Sequence, residues 1–293
     1  MSIIEKAAGK LNLQKRPEPP PSMRLPQEES APQEIHQQEI VREEIPAESP
    51  SRRHEFNLAK LKNQNIITPQ AEHSNMAEEF RMIKRPLLDN AFGQNGPKVK
   101  NSNLIMVTSS LPGEGKTFCS INLAMSIAME MGRTVLLVDA DAPNPQLLKK
   151  LGVSFDQGLL DLLEDDSLKL SDVIIRTSID NLSILPAGRH NRHATELLAS
   201  DAMSAMLDDM AQRYPDRIIL FDSPPLLVTS EASVLASHMG QIVMVIEAEK
   251  TPQPAVRQAL TLIEDCELTW VLLNKAKTMA GVDYYGYGYY GNS

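Results

Sequence analysis

The residues best suited to chemistry stand in the run Ser109-Ser110-Leu111-Pro112-Gly113-Glu114-Gly115-Lys116-Thr117. A Gly-rich turn between an apolar strand and a helix aims several backbone N–H groups at one point, and the unpaired donors of the helix N-terminus add to them. Such a loop holds phosphate. The spacing has Lys116 reaching the β- and γ-phosphates of a nucleotide and the Thr117 hydroxyl holding Mg²⁺, with Pro112, Gly113, Glu114, Gly115 and Phe118 completing the cradle. Ser110 stands where the first glycine of the usual pattern would be. Further along, Asp139-Ala140-Asp141 follows the apolar run 134–138, and Asp222 follows the run 217–221. Ligands of open α/β sheets gather at the carboxyl ends of strands. A strand-end Asp is most often a turn or cap residue, but downstream of a phosphate loop its carboxylate belongs to the Mg²⁺ shell.

The elements that must position these groups follow from hydrophobic pattern. Near-continuous apolar runs at 104–108, 134–138, 217–221 and 242–246 read as strands buried on both faces, as in a parallel sheet. Residues 182–185 and 270–273 add two more strands. Helical segments are expected at 118–131 with Gly132 as its C-terminal cap, at 158–163, at 194–214 with a break near Ser200, and at 255–265. Strand, helix and strand in alternation predict a doubly wound, mostly parallel α/β sheet flanked by helices. Ahead of it, Leu58, Leu61, Ile66 and Ile67 form a docking segment. A helix over 75–88 is capped by Asn75 and limited by Pro86. In that helix Glu78, Arg81 and Lys84 recur every third residue as one charged stripe, a pattern whose ordinary meaning is a solvated face.

Composition narrows the function classes. A net charge of −9 and a pI near 5.3 argue against a nucleic-acid partner, because phosphate backbones are bound by clustered Lys and Arg. Cys119 and Cys266 lie in apolar runs, as buried thiols in a reducing cytosol, neither catalytic nor metal-binding. No stretch approaches the roughly 18 to 20 apolar residues that span a bilayer, so an integral membrane protein is not expected. Residues 1–16 read as a short amphipathic helix or a frayed solvated end, and 17–55, rich in Pro, Glu and Gln, as a disordered linker. Residues 56–90 hold the docking segment and charged helix, 91–280 the nucleotide domain, and 281–293 a flexible tail. Five of the six tyrosines, Tyr284, Tyr285, Tyr287, Tyr289 and Tyr290, lie in that tail among glycines. Glycine disfavours a stable strand there, so the tail is a sticky low-complexity end or, beside a nucleotide site, a set of phosphoacceptors.

Together these features resemble the bacterial tyrosine kinases of capsule and exopolysaccharide export, over residues 56–293. The carriers are the phosphate loop, the run Val135 to Asp141, the run Ile218 to Asp222 with Ser223-Pro224-Pro225, and the tyrosine tail. The run Ile83 to Leu88, with Ala194 to Leu198, looks most like the stand-alone autokinases beside exosortase and PEP-CTERM loci. The resemblance implies a P-loop NTPase fold, ATP and Mg²⁺ as cofactors, and transfer of the γ-phosphoryl group to the tail tyrosines. It assigns Lys116, Asp139 and Asp141 to catalysis, with Asp139 or Asp141 accepting the tyrosine proton. Thr117, Asp139 and Asp222 organise the metal, and Asn274 contacts adenine. In relatives, the Glu, Arg, Arg stripe contacts the next subunit of a ring; it maps onto Glu78, Arg81 and Lys84. The implied partners are a second copy of the chain, whose site takes this chain's tail, a separate membrane polysaccharide co-polymerase as activator, and a tyrosine phosphatase. The implied place is the cytoplasm, with recruitment to the inner face of the plasma membrane.

The sequence departs from the family in two respects and separates from a second class in another. Many relatives are fused to a transmembrane polysaccharide co-polymerase, whereas no spanning segment is expected here. An arginine common shortly after the second Asp is missing from Asp141-Ala142-Pro143-Asn144-Pro145, and Arg189, Arg192 and His193 are either substitutes or a solvated basic loop. Leu111 replaces the second lysine usual in P-loop ATPases that position cell structures or partition DNA. A positioning-type ATPase without kinase activity is the alternative reading, and a nucleotide-sensing module without catalysis a third.

Overall fold

The computed structural model describes residues 53–71, 74–93, 99–214 and 216–277. The segment expected at 1–16, nearly all of the expected linker and the tail tyrosines Tyr284, Tyr285, Tyr287, Tyr289 and Tyr290 lie outside the described residues. Eight strands form one sheet: β1 (Arg53–His54), β2 (Leu104–Ser109), β3 (Thr134–Asp139), β4 (Ile175–Thr177), β5 (Leu182–Leu185), β6 (Arg217–Asp222), β7 (Gln241–Glu247) and β8 (Thr269–Asn274). Their order is β1-β4-β5-β3-β6-β2-β7-β8. Every neighbouring pair is parallel except β4 with β5.

The central strands are buried along their whole length because their alternate residues feed two cores. In β2, Ile105 and Val107 pack with Ile121 and Ile127 of α3 (Lys116–Ala128). Leu104 and Met106 face the opposite core, with Leu207 of α8 (Asp201–Arg213) and Leu235 of α9 (Ser230–Ala236). That two-sided burial explains why these strands read as unbroken apolar runs rather than alternating ones. The sheet is doubly wound, as the strand and helix alternation predicts.

Several boundaries move, for local reasons. The first helix of the nucleotide domain begins at Lys116 rather than Phe118, since Gly115 takes φ +100° and turns the chain directly into it. The break near Ser200 is real: α7 (Ala194–Leu198) ends there, and the Ser200 hydroxyl caps α8 by accepting from the Met203 N–H at 3.1 Å. The expected 255–265 helix is α10 (Gln253–Thr261), followed by a turn. The linker expected to reach residue 55 stops short, because Arg53 and His54 pair with β4 as an added edge strand. Strand β4, with only three residues, carries too little pattern to be seen in the sequence.

The charged helix, α2 (Asn75–Phe92), corrects two expectations. Its cap is Ser74, whose hydroxyl accepts from the Ala77 N–H at 3.2 Å, and Asn75 is the first helical residue. Pro86 lies inside the helix instead of limiting it. The carbonyl that proline leaves without a donor is that of Met82, a residue 57% exposed, so water is at hand. The stripe also divides. Glu78 pairs with Arg81 on the outer face, whereas Lys84 is buried. Its ammonium donates to the Ser126 carbonyl at 2.7 Å and pairs with Glu130 at 2.7 Å, at the carboxyl end of α3. There it complements the helix dipole and, mainly through that hydrogen bond, holds Glu130 below the usual carboxylate range.

Two buried amides complete the attachment of the N-terminal elements to the nucleotide domain. Asn122 of α3 accepts from the Ile67 N–H at 2.7 Å, beyond α1 (Leu58–Asn63). Gln241 of β7 donates to the Leu87 carbonyl at 3.0 Å and accepts from Asn90 at 3.0 Å. Among the described residues, no helix is long and apolar enough to cross a membrane. Replacing Lys84 leaves the Ser126 carbonyl buried without its donor. Lys84→Ala is therefore expected to lower unfolding stability by about 2 kcal/mol, whereas Arg81→Ala, which breaks a surface pair, costs less than about 1 kcal/mol. Urea denaturation of both variants measures the difference.

Candidate active site

Three neighbouring strands bring the chemistry together. In the sheet β3 lies beside β6 and β6 beside β2, so their carboxyl ends share one edge. The register pairs Asp139 directly with Asp222. The loop after β2 runs over the same edge, and α3 leaves from it with Lys116 and Thr117 in its first turn.

The loop is braced from within and from behind. Glu114, placed by the sequence among the phosphate contacts, is 3% exposed; its carboxylate accepts from the Leu111 N–H at 2.7 Å and from the Thr251 hydroxyl. Its side chain shapes the loop rather than facing a ligand. Asn274, the expected adenine contact, donates from Nδ2 to the Glu114 carbonyl at 2.8 Å. That amide lies so close that a Cβ on Gly115 would come within 2.1 Å of it. Lys275 donates to the Gly113 carbonyl at 2.7 Å and pairs with Glu247 at 3.0 Å. Phe118 enters the site with its backbone alone: its ring is half-buried, edge-on to Phe80 at 6.5 Å.

Beneath the loop sits a set of buried acids. Lys116 pairs with Asp141 at 2.5 Å, and both side chains are nearly enclosed. The Asp141 N–H donates to Asp139 Oδ1 at 3.3 Å. Asp222 Oδ1 accepts from Ser120 Oγ at 3.0 Å. The second oxygens, Asp139 Oδ2 and Asp222 Oδ2, are buried without a hydrogen-bond partner among the described residues. Burial, and then the neighbouring Asp222, push Asp139 well above the usual carboxylate range. Asp222 is pushed up to about 6 by burial, while Lys116, Thr117 and Ser120 pull the other way. Two unpartnered carboxylate oxygens side by side, next to the first turn that carries Thr117, are a donor set that fits a divalent cation. Among the described residues no three His, Cys, Asp or Glu side chains gather as a metal group, so hydroxyl and phosphate oxygens would have to complete the shell.

The other sequence-derived candidates fall elsewhere. Arg189 is held by Asp161, through Nε at 2.5 Å and its own N–H at 3.0 Å. Arg192 and His193 are exposed. Cys119 is buried on α3, its thiol pushed up to about 12 by burial and then by Asp222, which leaves it inert. Ser120 was missed by the sequence reading. Its spacing of four from Lys116 on one helix was the available signal, since that puts both on one face.

Asp222 gives the site a pH signature. Asp222 binds its proton at about 6 in the folded state, against 3.8 for the unconstrained group. Its protonated form therefore contributes stability that is complete below about pH 4 and is lost as pH rises through about 6. With nucleotide absent and metal chelated, unfolding stability is expected to fall over that range by about 3 kcal/mol at most. The Asp222→Asn variant should flatten the fall, as denaturant midpoints between pH 4 and 8 would show.

Comparisons with known proteins agree with this geometry. Residues 102–276 match the family model described as AAA domain. The Bacillus subtilis tyrosine-protein kinase YwqD is 27% identical over 237 residues, covering 80% of this chain and 94% of YwqD. EpsB of Ralstonia nicotianae is 32% identical over 190 residues, 64% of this chain. The chain spans less than a quarter of the length of the two Ralstonia EpsB relatives, 24% and 21%. Among solved structures, the chimerical protein CapA2B2 aligns with a TM-score of 0.60 at 25% identity, covering 76% of this chain and 93% of that one. The kinase domain of the Escherichia coli tyrosine kinase ETK aligns with a TM-score of 0.56 at 28% identity, covering 64% of this chain and 73% of that one. With its phosphate loop, strand-end acids and sheet order in place, the chain belongs to the AAA domain family and, within it, to the bacterial tyrosine kinases.

Proposed function

We propose that this chain is an ATP-dependent protein-tyrosine autokinase that modifies Tyr284, Tyr285, Tyr287, Tyr289 and Tyr290 and thereby regulates exopolysaccharide synthesis or export. The observation that carries the reading is the gathering of Lys116, Asp139, Asp141 and Asp222 on one sheet edge under a phosphate loop. Its similarity to named tyrosine kinases supplies the acceptor class.

The residues divide the work as follows. Loop amides and Lys116 take the nucleotide phosphates, which draws Lys116 away from Asp141. Thr117, Asp139 and Asp222 would hold Mg²⁺, which supplies neutralisation of charge on the phosphate oxygens. The tyrosine Oη attacks the γ-phosphorus, the bond to the bridging oxygen of ADP breaks, and the phenol proton passes to a carboxylate. A free phenol has a pKa near 10, so a nearby base is needed. Asp141, released by Lys116, is the group assigned to it, and Asp139 remains with the metal. Asn274 keeps its Nδ2 on the loop and offers its carbonyl oxygen to the adenine.

The reading extends to assembly. Glu78 and Arg81 would contact the next copy in a ring whose subunits modify one another's tails. Lys84 serves the inside of its own chain. A separate membrane polysaccharide co-polymerase would activate the kinase at the inner face of the plasma membrane, and a phosphatase would reset it. Each phosphate adds about −1.5 to −2 charges, so modified tails repel and the ring loosens.

Incubation with Mg²⁺ and ATP followed by mass spectrometry tests the chemistry. Tail phosphate is expected in the intact chain and none with Lys116→Ala. Asp141→Asn should retain nucleotide binding within a few-fold while transfer falls by about 100-fold or more. ATP hydrolysis with an unmodified tail would instead favour a positioning ATPase. Sedimentation of Glu78→Ala and Arg81→Ala variants, compared before and after ATP, tests the ring: smaller species are expected in both cases.

A further inference from the structure

A second cavity lies outside the nucleotide site, between α1, α3 and α4 (Leu147–Leu151), with a volume of about 400 Å³. Its floor is apolar: Ile121 and Ile66 are buried, and Phe118 presents part of its ring. Lys149 and Lys150 stand at its mouth. Neither makes an ion pair among the described residues, and no carboxylate lines the cavity. The remaining polar groups are amides. Gln64 is exposed at the rim, and Gln146 spends one N–H on Asn144 at 2.8 Å.

An apolar floor under two unneutralised ammonium groups suits a flat ring that carries a dianion. The volume lies at the small end of ligand sites, which run from about 300 to 1,000 Å³. A free phosphate would leave the floor unused, and an unmodified phenol would leave the cations unused. Lysines act here as compact point charges, and an aryl phosphate brings about −1.5 to −2.

We propose that this cavity binds phosphotyrosine, and that its occupant is the modified tail of this chain, residues 278–293. The inference rests on the kinase reading for the origin of the phosphate. Before modification that segment carries one charged side chain, Asp283, and becomes strongly anionic only when its tyrosines are phosphorylated. Extended, it reaches about 45 Å from Lys277 to Tyr290, enough to cross the face of a domain. A tail docked there is withdrawn from the active site and held against α3, the helix that carries Lys116.

Calorimetric titration of the full chain, with Mg²⁺ and saturating ADP filling the phosphate loop, tests this. The probes are synthetic peptides of residues 278–293 with and without phosphate on Tyr287, and inorganic phosphate. The phosphopeptide should bind at least tenfold more tightly than either other probe. The Lys149→Ala/Lys150→Ala double variant, and separately Gln64→Glu at the exposed rim, should each weaken it at least tenfold while circular dichroism stays unchanged. Equal binding of the two peptides, equal binding of inorganic phosphate, or indifference to both variants would overturn the proposal. Because the peptides are synthetic, the two readings fail separately. Phosphopeptide binding without tail phosphate from ATP removes the kinase reading and keeps the cavity; the reverse removes the cavity alone.

Discussion

Two carboxylates that face each other in register, deep in a sheet edge, are the constraint around which the site is built. Asp139 and Asp222 are both fully buried, and Asp222 raises the cost of ionising Asp139. In an apolar interior such a pair would be expensive. Here the surroundings offset it from several directions: the Asp141 N–H, the Ser120 hydroxyl, and Lys116 in the first turn of α3. What is left uncompensated, one oxygen on each acid, is the part with chemical use. Beside them lies an internal ion pair, Lys116 with Asp141.

That arrangement explains why the scaffold is rigid where it is. The strands β3, β6 and β2 are buried on both faces, so their ends are fixed by two cores at once. The helix α3 is pinned at its far end by Lys84 and in its middle by Asn122, and its first turn leaves directly from Gly115. Misplacing a phosphate by about 1 Å is costly to catalysis. Segments far from the acids in sequence, at 53–92, therefore act by holding the helix that carries Lys116 and Thr117.

The parts legible in the sequence were those whose pattern repeats or whose spacing is dictated by backbone geometry. The central strands, the phosphate loop and the strand-end acids announced themselves, because two-sided burial leaves a run of apolar residues and a ligand edge leaves polar ones. Side chains that turn inward did not. Lys84 reads as one of three exposed charges at helical spacing, yet the carboxyl end of α3 lies against it. Glu114 reads as a loop residue facing phosphate, yet it folds back onto Leu111 and Thr251. Pro86 reads as a stop, yet its missing donor falls on the solvent side of α2. For Lys84 and Glu114 a deciding partner, Ser126 or Thr251, is remote in sequence, so no local pattern contains it; for Pro86 the decision lies in which side of α2 faces solvent.

The bonds from Asn274 and Lys275 to the phosphate loop have a practical consequence for the chain's design. These residues close the last strand and also begin the segment that leads to the tyrosines. The anchor of the tail and the clamp of the loop are one object. Asn274 and Lys275 are held by the phosphate loop, and Lys277 pairs with Glu249 at the surface. Any attempt to graft, shorten or exchange the segment beyond has its natural seam after Lys277; a cut made before Asn274 would remove both bonds to the phosphate loop.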